Sequence, residues 1–166
     1  MIIRAATALD AVQIAAIQNP VIRDTTITFN PIEKTEQDVA CAIQTARCFL
    51  VAAVEDKIVG FAFYDQFRGG AGYARAMEHT IVLAPEVRGQ GVGRVLMQAI
   101  IAHAKAADVG SLWAGVSAEN PDGVAFHASL DFVEVARLRR VGFKFGRWID
   151  LILMQKWLGD DPRDKA

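Results

Sequence analysis

At 166 residues, 52% hydrophobic and with a formal net charge of −1, the chain has the length of one domain with a sizeable core, since domains cluster at about 100–150 residues. The near-neutral balance argues against a nucleic-acid or anionic-membrane surface, which calls for a clustered basic excess. The apolar runs are too short for a membrane span, and MIIRAATALD carries no export-signal pattern. Small-molecule chemistry in the cytoplasm is the expectation.

In chain order, IIRAAT (2–7) reads as a strand. Asp10 to Asn19 reads as a helix with Val12, Ala15, Ala16 and Asn19 on one side, ended by Pro20. A second helix opens at Thr35, where Thr-x-x-Asp resembles a capping box. Cys41 and Cys48 form neither a C-x-x-C pair nor a metal set with histidine, and both read as reduced core residues. CFLVAAVE and IVGFAFYDQF form a hairpin of two antiparallel strands. After the Gly-rich loop GGAGYAR (69–75), AMEHTIVLAP is a strand closed by Pro85. A helix then runs from Gly91 to about Ala107, its apolar stripe Val92, Leu96, Ala99 and His103 broadened by Val95 and Ile100. SLWAGVS is a strand, Asn120 to Leu130 a helix, FVEVARLRRV a strand, GFKFGR a turn and WIDLILMQKW a final strand. Residues 1–158 therefore read as a single domain, and 159–166 as a polar, loose C-terminal tail.

The stretch VRGQGVGR (87–94) lies between a strand and a helix. It lacks the Gly-Lys-Ser/Thr ending of a nucleotide P-loop. Its Gly89-x-Gly91-x-Gly93 spacing, late in the chain and after an antiparallel hairpin, does not suit a dinucleotide turn. What remains is Arg/Gln-x-x-Gly-x-Gly/Ala, in which side-chain-free residues let successive amides converge on a pyrophosphate at a helix N-terminus. A tight turn whose glycines only relieve positive φ would look the same in isolation.

With the strand and helix order around it, this loop resembles that of the GNAT superfamily of N-acetyltransferases. TTITFN (25–30), MEHTIVLAP (77–85), RGQGVGR (88–94), AENPDGVAFHASLDF (118–132) and VGFKFGRWIDLILMQ (141–155) are similar to the branch that acetylates phosphinothricin and methionine sulfoximine. The resemblance implies an α/β fold with a mixed, mostly antiparallel central sheet flanked by helices, whose central strands splay to bind acyl-CoA. It implies that Ile81, Val82 and Leu83 pair with the pantetheine arm of acetyl-CoA. Arg88, Gly89, Gln90, Gly91, Val92, Gly93 and Arg94 would hold its pyrophosphate, and Asn120 and His127 would face the pantetheine and the thioester sulfur. Asp131 stands where the family usually has Gly. The branch is typically dimeric, and the aromatic-rich end around Phe143, Phe145, Trp148 and Trp157 would suit a homodimer interface.

Acetylating an α-amine needs a base, because an α-ammonium of pKa ~7.7–8.0 is mostly protonated at neutral pH. Glu78, on the strand before the cofactor segment, is the candidate; a solvated strand face shared with Thr80 and Val82 is the alternative. His127 either protonates the thiolate or hydrogen-bonds within a helix end. His79, opposite Glu78, and His103 read as packing residues. Arg68 and Arg75 are candidate carboxylate partners through the bidentate fork of arginine, or surface charges. Phe29, Phe67 and Thr80 complete the expected acceptor site, although both rings could be ordinary core. The basic cluster of Arg137, Arg139, Arg140, Lys144 and Arg147 reads as a solvated edge or subunit contact rather than a phosphate site. The expected activity is direct acetyl transfer from acetyl-CoA to the α-amino group of a small amino acid or analogue, without a metal or an acyl-enzyme. A polyamine or protein N-terminal acceptor, or a non-catalytic acyl-CoA-binding module, are the alternatives.

Overall fold

The computed structural model describes residues 1–159. Most of the polar tail expected at 159–166 lies outside the described residues. One seven-stranded sheet runs in the order β1-β2-β3-β4-β5-β7-β6. Its strands are β1 (Ile2–Ala5), β2 (Cys48–Val54), β3 (Lys57–Gln66), β4 (Ala76–Leu83), β5 (Ser111–Ser117), β6 (Val133–Lys144) and β7 (Arg147–Trp157). Only β4 and β5 pair in parallel, so the mostly antiparallel mixed sheet is as expected. The helices are α1 (Ala11–Asp24), α2 (Glu36–Thr45), α3 (Val92–Ala106) and α4 (Pro121–Ala128).

Strands β2 and β3 are apolar on both faces because both faces are covered. Alternation sends Phe49, Val51, Ala53 and Phe61 to α1 and α2, where Ile14, Ala15 and Val39 meet them. It sends Cys48, Ala62 and Tyr64 to the opposite face, against Leu96, Met97 and Ile100 of α3. The capping box at α2 forms as expected: Asp38 N–H donates to Thr35 Oγ1 at 3.1 Å, and Thr35 N–H donates to Asp38 Oδ2 at 2.9 Å.

Pro20 does not end α1; it sits on the exposed side of the helix, and burial of Val21 and Ile22 carries the helix to Asp24. The buried stripe is Ala11, Ile14, Ala15 and Ile22, whereas Val12 and Ala16 face solvent. In α3, Ala104 takes the place expected of His103. His103 is exposed, with Nδ1 2.8 Å from Tyr64 Oη. Cys41 is exposed; only Cys48 is buried. Gly142 to Lys144 belong to β6, which leaves Phe145 and Gly146 as the hairpin turn, both at positive φ. Asp131 adopts φ 63°, the left-handed conformation that the glycine usual at that step would take freely.

Candidate active site

The parallel pairing of β4 and β5 covers only Ala76↔Ser111, Met77↔Leu112 and Glu78↔Trp113. Beyond it the strands part, while their outer edges stay paired to β3 and β7. The backbone edges of His79–Leu83 and Ala114–Ser117 are thereby freed to face one another across a cavity of ≈ 500 Å³. This is the splay that admits an extended, peptide-like chain as a pseudo-strand. Segment 27–30, the end of α1, Lys34, Asn120 and His127 complete the lining.

The glycine turn lies just past β4. Gly89 and Gly91 have φ of +75° and +82°, a left-handed conformation in which side chains are strained, and Gly91 is the N-cap of α3. With no side chain on that cap, the amides of Val92, Gly93 and Arg94 keep the positive end of the helix open to an anion. Gly93 answers a packing need. A Cβ there would fall 3.1 Å from Leu83 Cδ1 and 3.2 Å from Phe126 Cε2, so its absence lets α3 close on β4 and α4. The neighbouring side chains are partly committed elsewhere: Gln90 Nε2 donates to the Glu86 carbonyl at 2.6 Å, and Arg94 Nη2 donates to Ser129 Oγ at 3.1 Å. Arg88 reaches only the Leu83 carbonyl, at 3.5 Å.

Glu78 stands where the two strands begin to part. Its carboxylate lies over Gly115, where a Cβ would come within 2.9 Å of Oε1. The side chain is solvent-accessible through the cavity, yet much of the volume around it is protein. That loss of bulk water pushes its pKa above the ordinary carboxylate value. Thr80, Ile81 and Val82 line the same cavity.

His79 is buried on the other face of β4, as alternation requires, but it does more than pack. Its Nε2 is 3.0 Å from Nε2 of His127, whose Nδ1 is 2.7 Å from the Gly123 carbonyl. A carbonyl only accepts, so the proton of neutral His127 sits on Nδ1. Its Nε2 is then an acceptor for the Nε2–H of His79. This leaves His79 Nδ1 buried beside the Trp113 backbone without a hydrogen bond of full geometry. Burial, then the neighbouring His127, pushes the His79 pKa down to about 3, and burial also lowers that of His127. Both rings are neutral at pH 7, and both nitrogens of His127 are engaged. Asn120 is engaged too: it caps α4, its Oδ1 accepting from Gly123 N–H at 3.0 Å.

The expected acceptor residues separate. Phe29 lines the cavity and lies on β6 so closely that a Cβ on Gly142 would collide with its ring. Phe67 does not line the cavity; it stacks on Trp113 with centroids 4.8 Å apart. Arg68, exposed, holds its guanidinium 5.5 Å from the centre of the Tyr73 ring. Arg75 pairs with Asp108 at 2.7 Å and also donates to the Asp108 carbonyl, so its fork is already filled. Two residues that sequence reasoning did not single out contribute: Lys34 lines the cavity, and Gly115 makes room for Glu78. The basic cluster also divides. Arg137 pairs with Asp150 and Arg147 with Glu119, but Lys144 is buried and donates to the carbonyls of Ile22, Thr25 and Thr28 at 2.5, 2.6 and 2.8 Å. No cluster of metal-ligating side chains occurs among the described residues.

A splayed β4/β5 pair opening onto a glycine-capped helix is the arrangement of an acyltransferase, and residues 15–132 match the acetyltransferase (GNAT) family. The chain belongs to that family and is an acetyl-CoA-dependent acyltransferase. It is 36% identical over 152 residues to a phosphinothricin N-acetyltransferase of Alcaligenes faecalis, covering 89% of this chain and 77% of the relative. A ribosomal-protein-alanine N-acetyltransferase of Brucella melitensis superposes with a TM-score of 0.92 at 34% identity, covering 95% of this chain and 100% of the other. A putative acetyltransferase, yncA, of Salmonella typhimurium, solved with its cofactor acetyl-CoA, gives a TM-score of 0.92 at 28% identity over 97% of this chain and 95% of that one.

Proposed function

We propose that this enzyme transfers acetyl from acetyl-CoA to the α-amino group of a small amino acid or analogue, such as methionine sulfoximine, methionine sulfone or phosphinothricin. The observation that carries the reading is the free strand edge leading from the glycine turn to the carboxylate of Glu78. The relatives' names give phosphinothricin and a ribosomal-protein alanine as acceptors, and both are built on an α-amino acid.

In the proposed reaction the amides of the glycine turn hold the pyrophosphate, and the edge of Ile81–Leu83 aligns the thioester arm in the gap. Glu78 takes a proton from the α-ammonium, directly or through water, and the freed nitrogen attacks the thioester carbonyl. The C–N bond forms, the C–S bond breaks, and the second proton that the nitrogen sheds on becoming an amide passes to the departing thiolate, directly or through water. The engagement of both nitrogens makes His127 a positioning group held by His79 rather than a free acid. No acyl-enzyme is needed: burial pushes the Cys48 thiol up to about 11, far from a nucleophilic thiolate at neutral pH. Detoxification in the cytoplasm by neutralising the amine follows from this acceptor, and the proposed working unit is a homodimer.

Thiol release from acetyl-CoA, followed across free amino acids, amino-acid analogues, polyamines and alanine-terminated peptides, tests the reading. Turnover of free amino acids or analogues is expected. Turnover of peptides alone would move the enzyme to protein N-termini, and coenzyme A binding with no turnover of any amine would make it a binding module.

A further inference from the structure

An α-amino acid presents a carboxylate next to its amine, and an acceptor pocket for it needs a cation that is not already neutralised. Among the described residues, Lys34 is the only lysine or arginine lining the cavity that also holds Glu78. It takes part in no ion pair among the described residues. The Asp38 carboxylate keeps its charge while accepting from Thr35 N–H at 2.9 Å and Thr35 Oγ1 at 2.8 Å in the α2 cap; it interacts with the Lys34 charge through space but forms no ion pair with it. The Lys34 backbone is braced from both sides by one amide: Asn19 Oδ1 accepts from Lys34 N–H at 2.8 Å, and Asn19 Nδ2 donates to the Lys34 carbonyl at 2.9 Å. Lys34 is thus a half-buried lysine on a fixed backbone, lining a cavity that also holds one carboxylate and two neutral histidines.

We propose that Lys34 is the specificity-determining residue that takes the carboxylate of the acceptor, in the role the sequence suggested for Arg68 or Arg75. The acceptor then lies with its charges matched, carboxylate to Lys34 and ammonium to Glu78. The inference rests on the proposed amino-acid acceptor and deepens it.

Steady-state kinetics with methionine sulfone and with its carboxamide, which keeps the amine and side chain but loses the negative charge, test the assignment. The wild-type enzyme is expected to favour the acid by about 10- to 100-fold in kcat/KM, the worth of one charge-assisted hydrogen bond. Lys34→Met removes that preference through the acceptor KM and leaves the KM for acetyl-CoA unchanged, which also reports an intact fold. Lys34→Arg restores part of it, and Arg68→Ala does not alter it. An unchanged acid-to-amide ratio in Lys34→Met, an equal loss on both acceptors, or a shifted acetyl-CoA KM would overturn the role of Lys34 while leaving amino-acid acetylation standing. A wild-type enzyme that turns over neither methionine sulfone nor any other free amino acid overturns the acceptor reading itself, and this inference with it.

Discussion

Glu78 is a poor strand former at the point where β4 leaves β5, over a glycine that gives its carboxylate room. A base for an α-ammonium benefits from a pKa raised toward that of the amine, and burial shifts Glu78 in that direction. The base works only when deprotonated, so kcat/KM falls as pH drops through the raised pKa, and this acid limb lies above the ordinary carboxylate range. Glu78→Gln keeps the shape and loses the base; kcat is expected to fall by about 10²- to 10⁴-fold with little change in the KM for acetyl-CoA. A variant retaining near-normal turnover at its pH optimum removes Glu78 from the role. Glu78 is a local signal, an acidic residue among apolar ones, but alternation leaves a solvated strand face open and the family resemblance is what singles it out. Lys34 could not be singled out in this way, since its value depends on which distant arginines are already paired, and Arg75–Asp108 spans two loops far apart in sequence.

At the scale of elements, the fold was legible where the signal is local. The Thr35–Asp38 box and the glycine turn at 89–93 each specify their own geometry. The first helix was not: an Ala/Val/Ile-rich helix offers two overlapping apolar stripes, and only packing against Phe49 and Phe61 selects Ala11, Ile14 and Ala15. Nor could a lysine in a Gly-rich turn be read as core. Lys144, on the last residue of β6, reaches the end of α1 and the loop after it, 116 to 122 residues away in sequence. It holds the loop that brings Phe29 to the cavity wall, while Gly142 gives the ring its seat. Lys144→Met leaves three carbonyls without their shared donor and is expected to cost roughly 2–3 kcal/mol, a fall in melting temperature of about 5–10 °C. The acceptor KM rises with it, because Phe29 loses its brace. A variant that melts with wild-type and binds acceptor normally would show the clamp to be dispensable.

For the whole molecule, the sheet ends in β6, a twelve-residue edge strand on which exposed apolar side chains alternate with the exposed charges of Glu134, Arg137, Arg139 and Arg140. Phe143, Phe145, Trp148 and Val141 are each half or more exposed, with Val133 at 64% and Val135 at 47%. Such an edge left open invites association. Two register irregularities, with Arg140 at φ 53°, break its ladder. Simple strand addition is therefore disfavoured, and face-to-face packing of aromatic side chains across a two-fold axis is the better use of the surface. A stable interface of this kind buries about 800 Å² per partner. Light scattering at micromolar concentration is expected to give twice the chain mass. The pair Phe143→Glu and Trp148→Glu, which adds four charges to a self-contacting patch, is expected to give the single-chain mass with the fold intact by circular dichroism. Because β6 also carries Gly142 and Lys144, the monomeric variant should bind acetyl-CoA normally but lose acceptor affinity, linking the edge of the sheet to the pocket. A wild-type protein that runs as a monomer, or a doubly charged variant that remains a dimer, would remove this surface from the assembly.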